Sequence, residues 1–137
     1  MDKKIIITIP HYNNPVGLIN NISSINDPIK IDIVITDDGS EIKLDEHQVR
    51  SKYNNKGNIH FIYLDKNYGV GIAANKCLEY VKNKSYKYVA RLDAGDISYK
   101  NKFSKQIEFL EKNNKIMLVG TWARVLDNEG NLLFYIK

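Results

Sequence analysis

Two stretches near the start of the chain, Ile5 to Ile9 and Ile31 to Thr36, are almost continuously apolar and rich in β-branched residues. That is the pattern of strands buried on both faces of a parallel sheet. Between them Leu18, Ile19, Ile22 and Ile25 recur three to four apart, which predicts one apolar stripe on a helix entered near Asn14-Pro15. Lys43 to Tyr53 predicts a short helix with few apolar positions, and Ile59 to Leu64 a third strand. Val70, Ala73, Ala74, Cys77, Leu78 and Val81 then repeat at i, i+3, i+4, i+7, i+8 and i+11, the strongest helical signal in the chain. Tyr86 to Leu92 predicts a fourth strand, and Phe103, Ile107 and Leu110 the inner stripe of another helix. Ile116 to Thr121 predicts a fifth strand, and Arg124 to Leu126 with Leu132 to Tyr135 a hairpin around Asp127-Asn128-Glu129-Gly130. Strands alternating with helices imply an α/β layered fold with a mainly parallel sheet.

Composition narrows this picture. A chain of 137 residues, 43% hydrophobic and 26% charged, supports one core, so a single domain over 1–137 is expected. The net charge of +4 comes mostly from lysines spread along the whole length, which is a solvated surface and no nucleic-acid footprint. One cysteine makes no internal disulfide or zinc set; Cys77 is expected in the core, and a cytoplasmic setting is the simplest. The first apolar run is cut short by Pro10, too early for a signal peptide or a membrane span.

In an open parallel sheet ligands bind beyond the carboxyl ends of the strands, so the residues there carry the functional question. They are His11, Tyr12 and Asn13; Asp37, Asp38, Gly39 and Ser40; Asp65 to Gly71; and Asp93, Ala94, Gly95 and Asp96. Each acidic group is compatible with a plain turn or helix cap. Of Asp37 and Asp38, one carboxylate can accept the imide N–H of a uracil while the other orders the loop. Asp93 and Asp96 can share a hard divalent cation whose remaining ligands come from a nucleotide diphosphate. Tyr12 can stack on a base or pack in the core. Trp122 reads as a core residue. The stretch Gly69-Val70-Gly71-Ile72-Ala73-Ala74 fits a dinucleotide-binding fingerprint, but it follows the third strand after a gap of four residues and leaves Asp37 and Asp38 unexplained.

Ile5 to Asn14, Ile33 to Ser40, Asn67 to Asn75 and Tyr88 to Ser98, in this order and spacing, resemble family 2 glycosyltransferases of the GT-A fold. Gln106 to Leu110 and Val119 to Trp122 are similar to the segment that follows in bacterial members acting on surface polysaccharides. The resemblance implies a Rossmann-like three-layer GT-A sandwich with a C-terminal hairpin, truncated before the acceptor-binding half. It implies a nucleotide-sugar donor, most often a UDP-sugar, and inverting transfer to a glycan or lipid-linked acceptor; the spread of lysines, read above as a solvated surface, is also compatible with peripheral contact at the inner face of a membrane. Carried over by position, Pro10, Tyr12 and Asn13 flank the base, Asp38 accepts from it, and Asp93 opens the motif that holds the ribose and the Mg²⁺- or Mn²⁺-bound diphosphate, with Asp96 as a second metal ligand. The chain departs from the family at Gly95, where the family carries its metal-binding carboxylate. No residue after Trp122 suits a catalytic base. A nucleotide-binding remnant without catalysis is therefore the alternative expectation.

Overall fold

The protein was analysed as a computed structural model that describes residues 4–137. Its elements run β1 (Ile5–His11), α1 (Pro15–Ser23), β2 (Asp32–Asp37), α2 (Glu46–Ser51), β3 (Ile59–Tyr63), α3 (Val70–Lys82), β4 (Tyr88–Arg91), α4 (Lys102–Lys112), β5 (Ala123–Leu126) and β6 (Leu132–Ile136). Two compact units result, one up to Ser104 and one from Lys105 to Lys137.

In the first unit four parallel strands take the order β3-β2-β1-β4. The chain moves outward from β1 through β2 to β3 and then returns across the sheet to place β4 on the other side of β1. With right-handed crossovers, this reversal puts α1 and α2 on one face and α3 on the other. Every residue of β1 and β2 is buried, as the unbroken apolar runs require, whereas the edge strands β3 and β4 are only partly covered. Ile6 and Val34 pack with Cys77 and Val81 of α3, and partly buried Ile62, Tyr80 and Tyr86 close around them. Side chains alternate along a strand, so Ile7, Ile9, Ile33 and Ile35 fill the opposite face, where Leu18, Ile22 and Val49 of α1 and α2 are also buried. The Asn14 side chain caps α1 by accepting from the Gly17 N–H, with Pro15 at the first helical position.

The second unit holds the expected hairpin: β5 and β6 pair antiparallel through the turn after Asp127. Two expectations fail in this unit. Ile116 to Thr121 is not a strand; the segment has no ladder partner, and Met117 and Leu118 are almost fully exposed. A strand is defined by pairing, and a β-branched or apolar run without a neighbour stays irregular. Trp122 is 67% exposed, so it is not a core residue; the Lys137 Nζ lies 5.1 Å from its ring centre.

Cys77 is fully buried beside Thr36, with Sγ 3.1 Å from Thr36 Oγ1, and burial pushes its thiol pKa up. The thiol should therefore stay unreactive towards a disulfide reagent in the native protein and react at once in denaturant. Ile7→Ala, at a site with no exposure, should cost about 3–4 kcal/mol in chemical denaturation, as core truncations do.

Candidate nucleotide site

The reversal of the chain between β1 and β4 creates a crevice at the carboxyl ends of those two strands, the place where sheets of this kind bind ligands. β4 stops early against β1, since Arg91 is opposite Thr8, so the Asp93–Asp96 turn begins level with Pro10. Pro10 itself is a buried strand residue opposite Thr36. Tyr12 stands beyond it, 45% exposed, which settles its ring as a surface group at the crevice and not a core one.

A lattice of polar side chains holds the loops at this edge. Asp37 is a loop-ordering carboxylate: one oxygen accepts from the Ser40 N–H at 2.8 Å, and the other accepts from buried His11 Nδ1 at 2.8 Å. His11 Nε2 accepts the Asn14 N–H at 3.1 Å, so the network assigns the ring proton to Nδ1. Asn13 has a left-handed backbone, φ +48°, which Asn tolerates. Its N–H donates to Ser40 Oγ, and its Oδ1 accepts from the backbone N–H groups of Glu41 and Ile42, tying the β1–α1 loop to the β2–α2 loop.

Asp38 makes the next link. It is 2% exposed, and its two oxygens accept the N–H groups of Tyr68 and Gly69, each at 2.8 Å. Gly69 is the N-cap of α3 and has no side chain to cap with; Asp38 instead fixes the two residues that lead into the helix. The carboxylate also faces the positive end of the helix dipole. A carboxylate beside the entry to this helix repels a pyrophosphate there, which counts against the dinucleotide reading. The two loops approach so closely that a Cβ at Gly39, φ +69°, would lie 2.2 Å from the Lys66 backbone. Each oxygen of Asp38 keeps a further lone pair for another donor.

On the far side of the crevice Asp93 and Asp96 are exposed at the two ends of their turn. Arg91 Nε donates to Asp93 Oδ1 at 2.7 Å, with both side chains about half exposed. Gly95 has φ +102°, a conformation that L side chains rarely adopt, and the Asn14 amide lies 3.4 Å from where its Cβ would be. A carboxylate at this position would come with backbone strain. Among the described residues no group of three or more His, Cys, Asp or Glu side chains is placed to hold a metal. One ion-paired carboxylate and one exposed neighbour do not fit a divalent cation bound by the chain alone, since hard cations take six or more oxygens. A cavity of about 300 Å³ opens on the β2–β3 side of this same edge, lined by Asp37, Gly39 and Ser40 together with Lys43, Tyr63 and Asp65.

Comparison with known proteins agrees with this geometry. The model of Glycosyl transferase family 2 matches residues 6–134, and the chain belongs to that family. It is 31% identical, over its whole length, to an uncharacterized glycosyltransferase, MJ1057, of Methanocaldococcus jannaschii, of which it spans 48%. A 52-residue stretch is 44% identical to a putative teichuronic acid biosynthesis glycosyltransferase, TuaG, of Bacillus subtilis, covering 38% of this chain and 19% of that protein. The S. aureus TarS 1-349 structure in complex with UDP-GlcNAc superposes with a TM-score of 0.63 at 25% identity over 81% of this chain and 32% of that one. The chain thus spans about half the length of the first of these relatives and a third of the TarS structure. The mainly parallel sheet flanked by helices is that of GT-A glycosyltransferases. Among the described residues no helix is long and apolar enough to cross a membrane.

Replacing Asp38 by Ala would leave the Tyr68 and Gly69 N–H groups without their acceptor. The expected loss is roughly 2–3 kcal/mol in chemical denaturation, because both bonds are charge-assisted. Hydrogen exchange at those two amides should rise with it, while the amides of β1 stay protected.

Proposed function

We propose that the chain forms the nucleotide-binding part of a transferase that uses a UDP-sugar donor and acts, with inversion at the anomeric carbon, on a glycan or lipid-linked acceptor in surface polysaccharide synthesis. One observation carries the reading. Tyr12, Asp38 and Asp93 sit on loops leaving three neighbouring parallel strands around the crevice, in a chain 25% identical to a protein with structures in complex with UDP and UDP-GlcNAc.

The exposed ring of Tyr12 stacks on the uracil, an interaction open to any π-face. Asp38 accepts the imide N–H through a lone pair left over from its backbone bonds, and those bonds prevent it from turning away. The Asp93 carboxylate accepts from the ribose hydroxyls. Arg91, bonded to Asp93 and 55% exposed, supplies a fixed cation at the same turn for the diphosphate. With this donor set, nucleotide binding should depend little on Mg²⁺ or Mn²⁺.

Isothermal titration with UDP tests the reading. Binding is expected in EDTA, tightening less than about threefold on adding Mn²⁺, and Tyr12→Ala should weaken it by roughly tenfold, in line with the strength of base–aromatic stacking. No UDP binding with or without Mn²⁺ overturns the proposal. Hydrolysis of a UDP-sugar by the chain would support a transferase over a remnant that only binds.

A further inference from the structure

We infer that Asn21 is a positioning residue for the ribose–diphosphate end of the nucleotide, acting through the Asp93–Asp96 turn; this rests on the nucleotide reading above. Asn21 lies in α1 between buried Leu18 and Ile22 and is itself fully buried. Its Nδ2 donates to the carbonyl of Asp93 at 2.9 Å and to that of Asp96 at 2.7 Å, the first and last residues of the turn. The turn's own bond, from the Asp96 N–H to the Asp93 carbonyl at 3.0 Å, closes the same ring of contacts.

Both hydrogens of the amide are used, and this fixes its orientation, since Oδ1 in that place would face two carbonyl oxygens. Oδ1 points the other way, buried and without a hydrogen-bond partner among the described residues. A buried polar atom left unpaired is costly, and an apolar side chain at this point of the helix would avoid the cost. What the Asn provides and a Leu would not is the clamp. It draws the two carbonyls towards α1 and leaves the carboxylates of Asp93 and Asp96 facing solvent at the crevice. Ser24, the C-cap of α1 three residues on, repeats the device one step along the chain: its Oγ accepts the Ser98 N–H at 2.8 Å and donates to the Asn21 carbonyl.

The test compares UDP with uracil on the full chain, by titration followed in NMR, for wild type, Asn21→Leu and Asn21→Ala. Loss of the clamp should weaken UDP at least tenfold and leave uracil, which lacks both ribose and diphosphate, within about twofold. Exchange of the Asp96 amide should accelerate at least tenfold while the amides of Ile7 and Val34 are unchanged. An equal loss of UDP and uracil marks a merely structural residue and overturns the proposal, as does unchanged UDP affinity. Should the Leu variant fail to fold, the Ala variant decides. A wild type that binds no UDP overturns the nucleotide reading, and the Asp96 exchange then decides the clamp alone: unaltered exchange overturns that too.

Discussion

The organising constraint of this protein is the complete burial of its two central strands. β1 and β2 carry helices on both faces and a strand on both sides, so no residue of either has access to water. Isoleucine and valine satisfy that requirement along the strands, and each fully buried one contributes on the order of 2–3 kcal/mol relative to exposure. The cost is that polar chemistry is confined to where the strands end. At the carboxyl edge the chain passes from almost pure aliphatic sequence to His11, Asp37 and Asp38 within a residue or two, and these are buried as well.

Buried polar groups at a strand end must find partners, and the partners here are the neighbouring loops. Asp37 takes His11 and the Ser40 amide, Asn13 takes two amides of the next loop, and Asp38 takes the start of α3. Three connections that are far apart in sequence become one rim. Tyr12 lies in the chain between His11 and Asn13, both of which are tied into this rim, while Arg91 and Asp93 hold each other at the turn after β4. Loops held in this way lose less entropy when a ligand binds beside them.

At the turn after β4, Gly95 has φ +102° and Asp93 is paired with Arg91. Arg91 offsets one of the two carboxylates at the turn.

Periodicity alone determined the alternation of strand and helix, the burial of β1 and β2, the helix at Val70–Lys82 and the hairpin, because each leaves a repeat of two or 3.6 residues or an unbroken apolar run in the chain. It also placed Tyr12, Asp38 and Asp93 at strand ends. It failed at Ile116–Thr121, since an apolar run becomes a strand only when a neighbour offers hydrogen bonds, and at Trp122, since aromatic bulk says nothing of whether a partner surface exists. Which of Asp37 and Asp38 orders its loop, what occupies the N-terminus of α3, and the role of Asn21 were decided by tertiary structure. Asn21 bonds to residues 72 and 75 positions away, and within its own helix it is only a polar interruption of an apolar stripe. Contacts of that range leave no periodic trace: they exist only once the sheet has brought the two segments side by side.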